Sequence, residues 1–197
     1  GGRFTPLDCD LSDRAAIRAL IDRTAALGLT VDILVNNAGV IRRAPAAEHS
    51  EADWDAVMAV NLDAAFLLAR AYGGAMVARG AGRIVVVASV LSVQGGLAVP
   101  GYAASKGAVV QLARALANEW AGSGVNVNAV APGYVETDNT APLRRDARRS
   151  AELMARVPAG RWGAPEDIVG PVLFLASPLA DFVHGAVLPV DGGWLAR

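Results

Sequence analysis

An α/β fold, a doubly wound parallel sheet in a single domain over residues 1–197, is what the sequence predicts. Three observations carry that prediction. Apolar β-branched runs alternate with helix-length segments along the whole chain, with no internal repeat or linker. Those runs are continuous rather than alternating, as strands covered on both faces must be. The strands also stop on polar or glycine-bearing clusters, Asn36-Asn37-Ala38-Gly39, Ser89 and Pro132-Gly133, and open sheets of this kind bind ligands beyond such carboxyl ends.

Taken in order, Phe4–Leu11 reads as a short strand ending in Asp8, Cys9 and Asp10. Ser12 or Asp13 caps a helix from about 14 to 27, with Ile17, Leu20 and Ile21 at helical spacing, and Gly28 stops it. Val31–Val35 is a buried strand. Ser50 caps a helix holding Trp54, Val57 and Met58, and a longer helix runs from about Leu62 to Arg79. Arg83–Ala88 is the next strand; the segment after it leads into a helix reaching about Ala121. The small residues Ala103, Gly107, Ala108 and Ala115 on that helix fit close packing against another subunit, and equally fit simple helix propensity. Val125–Val130 is a strand closed by Pro132-Gly133, and Thr137–Val157 is a polar, Arg-rich surface helix or lid. An apolar helix, Asp167–Ala176, and a last strand, Ala186–Val190, precede Asp191-Gly192-Gly193.

Composition narrows the functional classes. With 197 residues, 53% hydrophobic and 19% charged, the chain is long enough for a substantial core and too apolar for disorder. A formal net charge of -1 gives no global field for nucleic acid or an anionic membrane. The single cysteine, Cys9, has no internal disulfide partner, which fits a reducing compartment. No signal peptide is visible, and no run of about 18 apolar residues lacks a charge or a glycine. The expectation is a cytoplasmic protein with a small-molecule substrate, no nucleic-acid or membrane partner and no metal.

The chemistry concentrates in Ser89–Lys106, SVLSVQGGLAVPGYAASK. Tyr102 and Lys106 are four residues apart on a helix and share a face. A tyrosine ionises near pH 10, so it needs a neighbouring cation to work near neutrality, and Lys106 is the expected one. Ser89, at the mouth of the preceding strand, is placed to hydrogen-bond the same oxygen. The set suggests proton transfer to or from an alcohol oxygen. Asn36–Gly39 reads either as an Asx turn or as the lining of a dinucleotide cleft, and Asn61 either as a helix cap or as a site residue.

Asn-Asn-Ala-Gly at 36–39, Asn61, Ser89, Tyr102-x-x-x-Lys106 and Pro132-Gly133 together resemble the short-chain dehydrogenase/reductase family over nearly the whole chain. The resemblance implies a Rossmann-like fold and NAD as cofactor, NADP not being excluded. It implies a catalytic set of Asn61, Ser89, Tyr102 and Lys106, with Asn61 supporting a water that bonds the lysine. It places Asp10 and Leu11 by the adenine and Asn36, Ala38 and Gly39 by its ribose. Lys106 and Tyr102 then fall by the nicotinamide ribose, and Pro132, Gly133, Val135 and Thr137 by the carboxamide. It also implies a homotetramer built through two helices and the carboxyl end, here Trp194-Leu195-Ala196-Arg197.

The family's opening strand, its Thr-Gly-x-x-x-Gly-x-Gly turn and its second strand are not found in this sequence. That turn cradles pyrophosphate at a helix N-terminus, and the same opening segment supplies the residue that selects NAD or NADP. The domain is therefore expected to lack its first two strands, to leave Phe4–Leu11 unpaired and to expose one edge of Val31–Val35. The stretches 36–43, 132–140, 149–152, 158–163 and 190–197 resemble family members that interconvert a keto-deoxy sugar acid and its alcohol. A sugar acid calls for guanidinium groups: Arg42, Arg43, Arg148, Arg149 and Arg161 are candidates, with Gln94, Tyr134 and Trp162 for the hydroxyls. The rival readings are a 3-oxoacyl or other sugar-alcohol dehydrogenase, and a non-catalytic binding or oligomerisation module.

Overall fold

The structure, a computed structural model, describes residues 4–197. Four parallel strands, β1 (Ile33–Asn36), β2 (Gly82–Val87), β3 (Val125–Pro132) and β4 (Val187–Val190), form one sheet in the order β1-β2-β3-β4. Their register puts Val35 opposite Val85, Val85 opposite Asn128 and Ala129 opposite Val187. The four expected strands from residue 31 onward are thus present, and all carboxyl ends point the same way.

Helices cover both faces. α1 (Arg14–Ala26) begins at Asp13, whose carboxylate accepts the Ala15 N–H at 2.7 Å. On one face α3 (Ala64–Arg79) and α4 (Pro100–Trp120) bury Ala69, Met76, Val109, Val110 and Ala113 against Ile84, Val86, Val125 and Val127. On the other, α7 (Glu166–Leu175) sets Leu175 against Val85 and Val130. Burial of this kind contributes about 25 cal/mol per Å² of apolar area. It accounts for the apolar side chains that β2 and β3 bury against the helices, while Asn126 and Asn128 of β3 are buried with hydrogen-bond partners.

Three sequence expectations change. Phe4–Asp10, read as a strand, forms none; it has no partner in the sheet, as expected, and Cys9 and Leu11 pack against the cluster of Ile17, Ala64 and Leu68. With no strand between it and β1, it has no backbone ladder to join. Ile33 and Val35 of β1 are accordingly 48% and 41% exposed. Second, α2 (Glu51–Met58) and α3 are one continuous helix, Glu51–Arg79, joined by a π-turn at Ala59–Asp63. Its 29 residues are by length and composition alone apolar enough to cross a membrane, contrary to the reading of two shorter helices. Here Leu67, Leu68, Ala69 and Met76 of that helix are buried in the core. Third, 137–157 is not one helix. A 3₁₀ turn (Asp138–Thr140), α5 (Ala141–Arg145) and α6 (Ala147–Met154) divide it, because the Asp146 carboxylate accepts the Arg149 N–H at 2.9 Å and starts a new helix.

Candidate active site

β2 leaves the sheet through Ala88 into Ser89, which is buried. The Ser89 hydroxyl accepts the Leu91 N–H at 3.1 Å and the Ser92 hydroxyl accepts the Ser89 N–H at 3.2 Å, so a reciprocal cap fixes the turn. Pro100 at its first turn opens α4, which carries Tyr102 and Lys106. Ser89 and Tyr102 line one pocket together with Gly133, Tyr134, Arg43 and Arg149, while Leu91, Val99, Leu143 and Leu153 form its apolar wall.

Electrostatics differ from the expectation in one respect. Burial raises the Tyr102 pKa above its ordinary value; Ser89 and the Arg43 guanidinium pull it back down. Lys106 is bonded to the strand rather than to the phenol in this arrangement. Its ammonium donates to the Val87 carbonyl at 2.6 Å and stands 5.8 Å from the centre of the Tyr102 ring. Lys106 is buried, and burial brings its own pKa down to about 8.

Asn61 is not a cap: it sits in the π-turn, 3% exposed. Its Oδ1 accepts the Val40 N–H at 2.8 Å and its Nδ2 donates to the Val40 carbonyl at 3.0 Å. This clamps the segment after β1 beside Lys106. A Cβ on Gly39 would stand 3.4 Å from Asn61 Oδ1 and 3.5 Å from Lys106 Nζ, in ordinary contact with both, which places this loop beside the two side chains.

The expected cofactor residues fall in several places. Leu11, Asn36 and Ala38 line a shallow cleft at the carboxyl end of β1, and Asn36 Nδ2 donates to the Ala65 carbonyl at 3.3 Å. Asp10 lies outside that cleft, fully exposed, its carboxylate accepting from the Ser12 N–H and hydroxyl at 2.8 and 2.7 Å. Gly133 donates to the Val190 carbonyl and lines the Tyr102 pocket; a Cβ there would meet Asp191 Cα at 2.7 Å. Val135 is buried and bridged to Gly163, whereas Thr137 is exposed, its N–H bonded to Thr140 Oγ1 at 3.0 Å.

Among the expected substrate residues, Arg43, Arg149 and Tyr134 reach the Tyr102 pocket. Arg148 turns outward, its side chain 91% exposed and paired with Glu152. Arg161 is held in two bonds to Asp167 at 2.6 and 3.0 Å and lines a separate cavity beside β4. Gln94 lines neither cavity, and Trp162 donates from Nε1 to Ser150 at 3.1 Å. Arg42 pairs with Asp53 on the surface, but Arg43 enters the pocket, donating to the Asn139 carbonyl at 2.8 Å. Sequence reasoning missed Ser105, wholly buried one turn after Tyr102; the spacing i, i+3 on the same helix face was the available signal.

Lys106 bears three N–H donors, and among the described residues it has one acceptor, Val87. Buried donors without partners, at the carboxyl ends of parallel strands, suit a hydroxyl-rich ligand such as the ribose of a dinucleotide.

A family model described as Enoyl-(Acyl carrier protein) reductase matches residues 1–195. A 2-dehydro-3-deoxy-D-gluconate 5-dehydrogenase of Pseudoalteromonas atlantica is 57% identical over 197 residues, 100% of this chain and 78% of that protein. The Escherichia coli protein of the same name is 52% identical over 198 residues, again 100% and 78%. A solved gluconate 5-dehydrogenase from Burkholderia cenocepacia, in complex with NADP and tartrate, matches with TM-score 0.92 and 44% identity, covering 95% of this chain and 74% of its own. A Beutenbergia cavernae structure with NADP at low occupancy matches with TM-score 0.93 and 60% identity, covering 96% and 76%.

Proposed function

The chain belongs to the short-chain dehydrogenase/reductase family, and on that premise we propose that it is an NAD(P)-dependent oxidoreductase acting on a keto-deoxy sugar acid or a closely related sugar acid. The observation that carries the reading is one pocket holding both a Ser89–Tyr102 pair and two guanidinium groups, Arg43 and Arg149. The first pair suits an alcohol or carbonyl oxygen, the second a carboxylate. The names of the relatives, sugar-acid dehydrogenases at 57% and 52% identity, support the same substrate class.

Asn36, Ala38 and Gly39 would hold the adenosine side of the cofactor, with Asp10 and Leu11 nearby. Tyr102 and Lys106 would hold the nicotinamide ribose, and Pro132, Gly133, Val135 and Thr137 the carboxamide. When bound, NAD(P)H supplies the hydride. This chain's residues handle the oxygen. The Tyr102 hydroxyl donates a hydrogen bond to the substrate carbonyl and passes its proton to the oxygen as negative charge develops; Ser89 donates a second hydrogen bond to that oxygen. With its pKa raised by burial, Tyr102 holds its proton at neutral pH, the state that reduction requires. In oxidation the phenolate form of Tyr102 accepts the alcohol proton, and Arg43 favours that form. Arg43 and Arg149 bind the carboxylate, and the wall of Leu91, Val99, Leu143 and Leu153 sheds water from the reacting end.

The finer assignments are cytoplasmic location and a homotetramer. Support for association comes from apolar side chains left exposed on and after α7: Leu173 at 63%, Leu179 at 81% and Phe182 at 100%. Light scattering of the purified chain measures the subunit number directly. The substrate test is a panel of keto-deoxy sugar acids, sugar alcohols and 3-oxoacyl thioesters, each with NADH and NADPH. Turnover confined to the sugar acids is the expected result; preference for the thioesters would reject the reading.

A further inference from the structure

Ser105 is 0% exposed and lies between Tyr102 and Lys106 on the inner face of α4. A serine in mid-helix is a poor choice on local grounds: alanine has the better propensity, and a hydroxyl bonded back to the helix carbonyl weakens the helix locally. Its bonds account for it. Ser105 Oγ donates to the Tyr102 carbonyl at 2.8 Å and accepts from Asn61 Nδ2 at 3.0 Å. The other bonds of the Asn61 amide both go to Val40. The orientation of that amide is therefore fixed from two sides, by the loop after β1 and by α4.

We propose that Ser105 is a positioning residue, whose hydroxyl bridges α4 at Tyr102 to Asn61 and thereby holds the Val40 segment against the site. The path is short and continuous: Tyr102 carbonyl, Ser105 hydroxyl, Asn61 amide, Val40 backbone. Gly39 and Arg43, on either side of Val40, are the residues whose placement it sets. Gly39 lies beside Lys106, and Arg43 lines the same pocket as Tyr102. Removing the hydroxyl strips Asn61 Nδ2 of a partner in a dry space, and the freed amide then holds Val40 less firmly.

The kinetic part of the inference rests on the oxidoreductase reading; the structural part does not. The test compares Ser105→Ala, Asn61→Ala and the double variant. Alanine is smaller and a better helix former, so Ser105→Ala keeps the fold, checked by its urea midpoint. In Ser105→Ala the Val40 amide hydrogen exchanges on the order of tenfold faster, while the amides of β2 and β3 are unchanged. With an accepted substrate, kcat falls on the order of tenfold and KM changes less than about twofold. Adding Ser105→Ala to Asn61→Ala costs less than about twofold more, because the hydroxyl acts through the amide. Unchanged Val40 exchange in Ser105→Ala overturns the bridge, as do kinetic losses that multiply in the double variant. Faster Val40 exchange in a chain that turns over no substrate of the panel would uphold the bridge and count against the function.

Discussion

The floor of the pocket and its arginine-bearing rim are built on opposite principles. On the floor, Ser89, Asn61, Ser105 and Lys106 are all buried, and each is tied to backbone: Leu91, Val40, Tyr102 and Val87 respectively. At the rim, short helices carry Arg144 and Arg149 paired with Glu136 and Glu152, and Arg156 lies 4.0 Å over the Trp194 ring. Exposed ion pairs contribute only about 0–1 kcal/mol each, so the rim is free to exchange partners when an anion arrives. The difference separates the two tasks. Proton transfer needs groups that do not move, and recognition of a carboxylate needs guanidinium groups that can change partner.

Substitutions test that division, the largest effects lying on the floor. Tyr102→Phe should lower kcat by about 10²–10⁴-fold with the unfolding midpoint unchanged, since it deletes one oxygen from a packed ring. Near-normal turnover would remove Tyr102 from the chemistry. Lys106→Met should change how stability depends on pH. Burial holds the Lys106 pKa near 8 against 10.5 when exposed, so between those values the unfolded chain carries a proton that the folded chain has shed. Stability contributed through this residue therefore rises as pH goes from about 8 to 10.5, by on the order of 3 kcal/mol. Urea titrations at the two ends of that window should show the rise in the wild chain relative to Lys106→Met; equal slopes would mean that the amine is solvated.

The rim gives smaller, more selective effects. Arg149→Gln should raise KM for a sugar acid about tenfold with little change in kcat, as expected for loss of one charge-assisted contact. Arg148→Gln, one residue away but facing solvent, should stay within about twofold. Equal effects of the two would erase the distinction between them. The smallest effect belongs to the link between the loops. Ala98 adopts φ 57°, and its carbonyl accepts the Ala44 N–H at 3.0 Å, joining the loop that follows Ser89 to the one carrying Arg43. Ala98→Gly relieves the left-handed strain and loosens the unfolded chain, so stability should shift by less than about 1 kcal/mol. A large loss would show that the methyl group matters more than the backbone.

The floor was legible in the sequence because its residues are spaced by the geometry of regular elements. Tyr102 and Lys106 share a helix face, Ser89 stands at a strand end, and the buried strands announce themselves as unbroken β-branched runs. The rim was not legible. Arg148 and Arg149 are adjacent and chemically identical, and only the fold of α6 turns one outward and the other into the pocket. Nor was the direction of the Tyr102 shift, because burial sets it and spacing along a helix does not reveal how deeply a phenol is buried. Phe4–Asp10 has the composition of a strand, but a strand is defined by its neighbour, and a single segment does not show whether one is there.

The π-turn at Ala59–Asp63 inserts an extra residue into one turn of an otherwise continuous rod. The stripe of side chains before it and the stripe after it are consequently out of phase by about a quarter of a circle. One molecule-long helix thus presents two independently aimed surfaces. Deleting a single residue in this stretch would bring them back into phase, swinging Asn61 off Val40 or the α3 stripe off the sheet.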